Sequence, residues 1–252
     1  MIAYLDCHSG ISGDMFLGAM LDAGLPHDLL QTALAKLPLA GYQLKIEKFS
    51  SHGIAGTRFQ VLQDEQEQPA RSFTSIAALL HEAPVSPTVR DTAIAIFRTF
   101  GEAEAKIHGV TLHEVHFHEL GAVDTIVDIT GAAIAIEALG ISQLYASPLP
   151  FTRGRVPMAH GLLPLPAPAT LELLSRVKAP WVPCAAEGEL VTPTGAAILA
   201  VLARFEMPAM AIERVGYGFG QRAMPWPNCL RVCLGEAYAV GPIRSMQEYL
   251  VP

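Results

Sequence analysis

The sequence from Ile2 to Ala23 reads IAYLDCHSGISGDMFLGAMLDA and contains the pattern that decides the fold. Its opening run, Ile2–Asp6, is short and mostly apolar, which is typical of a buried strand. Gly10 and Gly13 then mark a turn, and the apolar run from Met15 to Ala23 has the periodicity of a helix. A strand, a glycine-bearing turn and a helix in this order predict an α/β architecture.

The rest of the chain continues this mixture of strand and helix patterns. Alternating apolar residues over Leu44–Val61, interrupted by Ser-His-Gly, predict a β-hairpin, and residues 112–120 are predicted to be extended. Because strands and helices interleave without strict alternation, we expect a mixed sheet flanked by helices. The other predicted elements are helices over Thr88–Ile107 and Asp124–Leu139, helices that begin near Pro168 and Pro193, and strands over Ala211–Phe219 and Leu230–Leu234.

Proline becomes frequent beyond Ile141, which indicates a weak division of the chain near Gly140. We therefore predict an N-terminal lobe over residues 1–140, with the glycine turn and a His-x-His motif, and a proline-rich second lobe over residues 141–252. One domain that contains both lobes is the alternative.

The composition excludes several classes of function. Charged residues make up 16% of the chain, against about 25% in an average globular protein, so we expect a subunit interface and a homo-oligomer. The formal charge is −7 and the 17 basic residues are scattered, which argues against a nucleic-acid partner. The most apolar stretch, Ile126–Ile141, is interrupted by Asp128 and Glu137, so we expect no membrane span.

The N-terminus and the cysteines predict the compartment. The first residues lack the basic leader of a secretory signal, and no Cys-x-x-Cys pair occurs among the 4 cysteines. Both features predict a cytoplasmic protein, since free thiols persist in a reducing compartment. Cys229 and Cys233 are expected to be buried thiols on one face of a strand.

The first candidate site is a cluster of histidines and acids. His116 and His118, one residue apart in an extended segment, lie on the same side of the strand about 7 Å apart, which lets them share a metal ion. Imidazole suits nickel, zinc, copper and iron. Glu119 follows, and Asp124 and Asp128 share one face of the next helix, from which they can bind the metal, orient an imidazole or act as a base. A hydrogen-bonded structural cluster is the alternative.

The second candidate site is the turn formed by Gly10, Ser12, Gly13 and Asp14. A helix that begins here offers free backbone amides to a phosphate or carboxylate. The glycine spacing fits neither a dinucleotide-binding turn nor a phosphate-binding Walker loop. An ordinary turn with Ser12 or Asp14 as the helix cap is the alternative.

Asp6 and His8 stand at the end of the first predicted strand. Ligands gather outside the carboxyl ends of strands in α/β sheets. We therefore take both residues as candidate metal ligands, with Cys7 between them as a minor one.

Two further segments are candidates for binding an anionic ligand. Thr192 and Thr194 begin a predicted helix with two hydroxyls and free amides, although a simple capped helix is the alternative. Arg153 and Arg155 place two guanidiniums in one loop, where solvated charge is the alternative. An anionic ligand of an acidic protein needs such local basic groups.

Together these motifs resemble one known family. Four segments, in this order along the chain, are similar to the LarC family, also called pyridinium-3,5-bisthiocarboxylic acid mononucleotide nickel insertion protein, and the resemblance extends to about Gly235. The resemblance implies a nickel chelatase of the lyase class that completes the nickel-pincer cofactor of lactate racemase. The four segments are Asp6–Met15, His116–Asp128, His160–Thr170 and Glu189–Ala196.

The resemblance implies a CTP-dependent cyclometallation. Nickel would enter between two thiocarboxylate sulfurs and a ring carbon of a pyridinium mononucleotide, which needs nickel ligands, a base for the ring proton and a cradle for a phosphate. On this basis we assign residues to three roles. Nickel is assigned to His116, His118, Asp6 and His8, catalysis to Glu119, Asp124 and Asp128, and the substrate or nucleotide to Gly10, Ser12, Gly13, Arg153, Arg155, Thr192 and Thr194.

The sequence departs from the family in two places. Many relatives carry a histidine-rich tract where this chain has Gln63–Ser72, so nickel storage in this loop is not expected. Relatives also continue into a C-terminal domain associated with nucleotide binding, whereas this sequence ends at Pro252. We therefore do not expect this chain alone to use CTP; a naturally short form, a separately encoded N-terminal half that needs a partner chain and a piece of a longer protein are the three alternatives.

Two other functions remain open from the sequence. A nickel-binding subunit or metallochaperone would hold the metal for a partner chain without turnover. A metal-dependent hydrolase would also use a His-x-His motif near a strand end with a later carboxylate.

Overall fold

The computed structural model describes residues 1–64, 71–117, 123–158 and 161–238, and the structural findings concern this part of the chain. The side chains at 116, 117 and 158 also lie outside the description. The predictions for His118, Glu119 and His160 therefore fall outside the described residues.

The elements follow in the order β1 (Ile2–Asp6), α1 (Gly13–Asp22), α2 (His27–Leu34), β2 (Tyr42–Ser51), β3 (Ile54–Gln63), β4 (Arg71–Ser72), α3 (Phe73–Glu82), α4 (Pro87–His108), β5 (His116–Phe117), α5 (Val123–Ala138), β6 (Gln143–Ala146), β7 (Leu149–Arg153), β8 (Arg155–Met158), β9 (Gly161–Pro164), α6 (Pro168–Arg176), β10 (Trp181–Glu187), α7 (Pro193–Leu202), β11 (Ala203–Arg204), β12 (Met210–Phe219) and β13 (Cys229–Ala237).

A seven-stranded mixed sheet organises the fold, in the order β11-β6-β1-β13-β12-β3-β2. Strand β1, in the interior of this sheet, pairs parallel with β6 and antiparallel with β13. The predicted mixed α/β fold is therefore confirmed. The sheet takes strands from both sides of Gly140, and the division into lobes at that residue stays a prediction.

Helix α1 packs directly on the sheet, against β12, β3 and β13. Glycines make this approach possible: a side chain at Gly218 of β12 would overlap the backbone of Met15, and one at Gly216 would overlap that of Ala19. The close packing holds the turn before α1 against the sheet, with Leu5 and Phe16 fully buried beneath it.

Local sequence signals explain where the helices near the site begin. Ser12 caps α1 by accepting a hydrogen bond from the backbone N–H of Met15. Thr192 caps α7 in the same way, and Pro193 occupies the first turn, as its fixed φ and missing N–H allow. The predicted helices near Pro168 and Pro193 and the helix ending before Gly140 are confirmed.

Two predictions around the sheet had different outcomes. The predicted hairpin is confirmed as β2 and β3, which pair antiparallel, and its turn places His52 and Gly53 at φ 52° and 79°. The predicted extension from residue 112 was wrong at its start. Residues 112–114 form a turn instead, in which the N–H of Glu114 donates to the carbonyl of Thr111 at 3.0 Å, because this local bond satisfies the backbone without a strand partner.

No helix in the described part of the chain combines the length and the apolar character that crossing a bilayer requires.

Candidate functional site

Three aspartates come together where the N-terminal turns of α1 and α5 meet. They are Asp14 on α1 and Asp124 and Asp128 on α5. Burial raises the pKa of Asp128 well above its usual value, and the negative charges of Asp14 and Asp124 raise it further. One oxygen of Asp128, Oδ1, is buried and has no hydrogen-bond partner among the described residues. Burial and neighbouring negative charges both favour the protonated form of a carboxyl group.

Contact between Asp128 and Gly13 brings α5 against the glycine turn. A side chain at Gly13 would overlap the carboxyl group and the Cβ of Asp128. Gly13 is therefore needed for close approach, which differs from the role in anion binding that the sequence analysis assigned to it.

Asp14 is held by the turn that precedes it. The hydroxyl of Ser12 donates to Asp14 Oδ1, and the backbone N–H of Met15 donates to the same oxygen at 2.9 Å. Burial raises the pKa of Asp14, while these hydrogen bonds lower it in part. The side-chain amide nitrogen of Gln221 lies 3.5 Å from Asp14 Oδ2. From the sequence Asp14 was expected only as a helix cap, and its place in the acidic cluster was not predicted.

Asp124 completes the cluster from the first turn of α5. Burial raises its pKa, the backbone N–H of Thr125 donates to its Oδ1 at 2.8 Å and lowers the pKa in part, and the charge of Asp14 raises it again. A carboxyl group whose pKa is raised by burial and by a neighbouring charge is a candidate general acid or base. The predicted placement of Asp124 and Asp128 on one helix face is thus consistent with the effect of the Asp14 charge on the pKa of both.

The segment before α7 forms another wall next to the glycine turn. The N–H of Ile11 donates to the carbonyl of Leu190 at 2.9 Å, and the N–H of Thr192 donates to the carbonyl of Ile11 at 3.1 Å. Gly10, at φ 82°, has no room for a side chain because the carbonyl of Leu190 occupies that space. Two motifs that are far apart in sequence are therefore bonded to each other.

The β12–β13 loop, residues 220–228, approaches the same region from the far end of the chain. Besides the contact of Gln221 with Asp14, the guanidinium of Arg222 lies where a side chain of Gly188 would be. No residue of this loop was predicted from the sequence to belong to the site. A glutamine and an arginine followed by two prolines were its only local signal, and this pattern is common in surface loops.

The end of β1 holds the other predicted metal ligands. Asp6 forms an ion pair with Arg231, its cross-strand partner on β13, and Nδ1 of His8 lies 3.9 Å from Asp6 Oδ1. Cys7 is fully buried, and burial raises the pKa of its thiol, which disfavours the thiolate that metals bind. Metal binding by Asp6 and His8 stays a prediction.

The predicted anion-binding residues have the following surroundings. The amide of Gly10 donates to the carbonyl of Cys7 at 2.8 Å, so it is already used within the protein. The hydroxyl oxygen of Thr192 accepts from the N–H of Gly195 at 3.2 Å, and Thr194 is half-buried in the first turn of α7. Their role in binding an anion stays a prediction.

Arg153 borders a cavity on the surface of the described part of the chain. This cavity of about 740 Å³ lies beside the paired strands β7 and β10, and Arg155 is exposed at the start of β8. It is lined by Phe151, Arg153, Pro183, Cys184, Ala185 and Glu187. Its size is that of a small-molecule site.

The predicted histidine pair is described only in part. The backbone of His116 pairs with Ser72 in the two-stranded sheet of β5 and β4, while His118 and Glu119 lie outside the described residues. Within the described ranges, no group of three or more His, Cys, Asp or Glu side chains is arranged to hold a metal ion.

Comparison with known proteins gives a consistent result. A family model described as nickel insertion protein matches residues 3–249. A putative nickel insertion protein of Thermomicrobium roseum is 52% identical over 240 residues, which cover 95% of this chain and 59% of that protein. One of Citrifermentans bemidjiense is 49% identical over 253 residues, covering 99% of this chain and 64% of that protein.

A third relative has a more specific name. The pyridinium-3,5-bisthiocarboxylic acid mononucleotide nickel insertion protein of Desulfitobacterium hafniense is 49% identical over 236 residues, which cover 93% of this chain and 58% of that protein. The chain spans about three fifths of the length of these curated relatives. No solved structure matches the chain.

Proposed function

The chain belongs to the nickel insertion protein family, and from this membership we propose that it inserts nickel into a pyridinium-3,5-bisthiocarboxylic acid mononucleotide. The name of the Desulfitobacterium relative supports this substrate. As a nickel chelatase of the lyase class, the protein would complete the nickel-pincer cofactor of lactate racemase.

The reaction that we propose exchanges a proton for a metal. The bond between a pyridinium ring carbon and its hydrogen breaks, a bond between that carbon and Ni²⁺ forms, and the two thiocarboxylate sulfurs complete the coordination. The ring proton must pass to a base, and no oxidant or reductant is consumed. The protein therefore has to hold the ion, orient the ring and accept one proton.

The observation that carries the proposal is the buried carboxyl of Asp128 beside Asp14 and Asp124. A carboxyl with a pKa raised toward the working pH is suited to take the ring proton once it is ionised. Asp124 lies one helical turn before it and can take the proton onward or contact the ion. The arrival of Ni²⁺ would favour the ionised form of these carboxyls, so metal and proton compete for them.

We propose that His116 and His118 bind the incoming nickel, with Glu119 as a further ligand or base. Imidazole is a suitable ligand for Ni²⁺, and carboxylates alone favour harder ions such as Mg²⁺ and Ca²⁺. This assignment rests on the sequence motif and on its position just before α5, which carries Asp124 and Asp128.

Transfer of nickel into the mononucleotide by the purified chain tests the proposed function. The chain is incubated with Ni²⁺, CTP and the bisthiocarboxylate mononucleotide, and nickel is measured separately in the small-molecule and protein fractions. The variant Asp128→Asn is expected to lower the rate by about 100-fold or more, since loss of a general base costs about 10²–10⁴. The matched control Asp91→Asn removes an exposed carboxylate that pairs with Arg90, and it should keep the wild-type rate.

Other results of the nickel-transfer experiment would favour one of the alternative functions or contradict the role of CTP. Nickel that stays on the wild-type protein and never reaches the mononucleotide would favour a metallochaperone or nickel-binding subunit. Cleavage of simple amides or esters that is lost in His116→Ala would favour a metal-dependent hydrolase. An unchanged rate without CTP would contradict the CTP dependence that the family implies. A homo-oligomer, a separate C-terminal partner chain and a cytoplasmic location remain predictions from the sequence.

A further inference from the structure

The guanidinium of Arg222 lies directly against the backbone of Gly188. A side-chain carbon at Gly188 would overlap the terminal guanidinium atoms, and the φ of 98° at this residue is one that side chains rarely adopt. The approach therefore depends on glycine at position 188. The guanidinium of Arg222 therefore lies over residues 188–192, the segment between β10 and α7.

A second arginine, Arg153 at the end of β7, is hydrogen-bonded through its backbone to the same glycine. The N–H of Gly188 donates to the backbone carbonyl of Arg153 at 3.0 Å, so Gly188 links the β7 strand end to the contact with Arg222. Arg153 borders the cavity of about 740 Å³, which also contains Glu187. Neither Arg153 nor Arg222 takes part in an ion pair among the described residues, although the chain carries a net charge of −7.

The loop that carries Arg222 is held in place by several hydrogen bonds. The side-chain amide of Asn228 donates to the backbone carbonyl of Arg222 at 3.0 Å, and the N–H of Gly220 donates to the carbonyl of Asn228 at 2.9 Å. The indole N–H of Trp226 donates to the hydroxyl of Ser9 at 3.0 Å, which ties the loop to the turn after β1. The backbone of Arg222 is therefore positioned before any ligand arrives, which lowers the entropy cost of binding.

The position of this arginine relative to the carboxylates suggests what it binds. The side-chain nitrogen of its neighbour Gln221 lies 3.5 Å from Asp14 Oδ2. Two consecutive residues of the loop therefore contact the acidic cluster and Gly188, respectively. A ligand that spans both ends would present a reactive centre to the acids and an anionic group to the guanidinium. A phosphate monoester on a pyridinium ribonucleoside has this form.

We propose that Arg222, together with Arg153, binds the phosphate of the mononucleotide substrate; this inference rests on the proposed function. Guanidinium binds phosphate through two parallel hydrogen bonds, which fixes the orientation of the group as well as its charge. Arg222 thus discriminates the mononucleotide from the corresponding riboside. Held at its phosphate, the substrate can direct its ring toward Asp128.

Binding of nicotinic acid mononucleotide and of its dephosphorylated riboside to the full chain tests this role. These probes share the pyridinium ring and the ribose and differ in the phosphate. Wild-type protein should bind the mononucleotide at least 10-fold more tightly than the riboside. Arg222→Ala should lose at least 10-fold in affinity for the mononucleotide and keep its affinity for the riboside, and Arg222→Lys should retain part of the preference through its charge.

The control is Arg204→Ala, which removes an exposed arginine on β11 that is in none of the described ion pairs. It should leave both affinities unchanged, and thermal unfolding should show that every variant is folded. A wild-type chain without preference for the phosphate, or an Arg222→Ala variant in which both affinities fall equally or neither falls, would overturn the proposal. If nickel is never inserted while Arg222→Ala still abolishes the preference, the proposed function fails and the phosphate site stands.

Discussion

The carboxyl group of Asp128 on α5 occupies the space that a side chain at Gly13 on α1 would need. This contact fixes the distance between the two helix starts and brings Asp128 to Asp14, whose charge contributes to its raised pKa. Glycine is therefore required at position 13 for packing against Asp128, in addition to the anion-binding role that the sequence predicts for it.

Replacement of Gly13 by alanine should damage both stability and activity. The added methyl group overlaps the Asp128 carboxyl, so α5 must shift, and overpacking of this kind costs about 1–3 kcal/mol of unfolding free energy. Nickel insertion should fall with it. Urea unfolding and the nickel-transfer assay measure the two effects.

The matched control for this experiment is Gly53→Ala. Gly53 lies in the hairpin turn at φ 79° with open space around it, so alanine there strains only the local backbone. It should lower stability without lowering the rate of nickel insertion. If Gly13→Ala unfolds and reacts like wild type, the proposed contact has no energetic importance.

The pH dependence of stability should report the raised pKa of Asp128. Between the ordinary aspartate pKa of about 3.9 and the raised value, the folded state binds more protons than the unfolded state, so stability falls as the pH rises. Asp128→Asn removes this loss. The variant should match wild type below about pH 3.9 and be more stable than wild type at neutral pH, because asparagine has no charge to acquire in the buried site.

Asp91→Asn serves as a control, because the pKa of Asp91 is shifted in the opposite direction. The hydrogen bond from Arg90 lowers the pKa of Asp91, so this carboxylate contributes stability that is present above the unfolded pKa and is lost as the pH falls through the lowered one. Denaturant unfolding at several pH values measures both variants. The prediction is wrong if the Asp128→Asn variant is less stable than wild type at neutral pH. That result would mean that the folded protein stabilises the ionised carboxylate of Asp128.

Nickel bound by the purified chain should depend on the histidine pair. His116→Ala/His118→Ala is expected to lose most nickel while the fold survives, because two imidazoles leave the proposed coordination sphere. The control His27→Ala/His81→Ala removes two exposed histidines of α2 and α3. The measurement is the nickel content of each folded protein. Equal nickel content in wild type and both variants would contradict the assignment of His116 and His118 as nickel ligands.

The bond between Trp226 and Ser9 should hold the loop that carries Arg222. In a double-mutant cycle with Trp226→Phe and Ser9→Ala, we expect a coupling free energy of about 0.5–1.5 kcal/mol, typical of one hydrogen bond. Each single variant should also weaken binding of the mononucleotide. A coupling near zero, measured by urea unfolding, would mean that the loop is held by its other contacts.

Several features of the fold were predictable because their signals are local. Proline and a hydroxyl cap mark the start of α7, and alternating apolar residues mark the β2–β3 hairpin. The order of the sheet had no such signal, because β13 inserts between β1 and β12 from the far end of the chain. The four motifs predicted the family, and the match over residues 3–249 confirms it.

The candidate site was predictable to a similar extent. The spacing of Asp124 and Asp128 placed both on one helix face, since residues four apart are neighbours on a helix. Asp14 was missed, because an acid in the first turn of a helix is common without any catalytic role. Gln221 was missed as well, since it reaches Asp14 across 207 residues of sequence.

The family, the helix starts and the pairing of acids on α5 could be predicted from local patterns, because backbone sterics, capping and helical periodicity act over a few neighbouring residues. Burial of Asp128 against Gly13 and the position of Arg222 over Gly188 depend on how the chain folds. Both contacts join residues that are distant along the chain. Their physical cause is the packing of α5 against α1, which buries Asp128 and raises its pKa, and of the β12–β13 loop against Gly188, where Arg222 stays exposed.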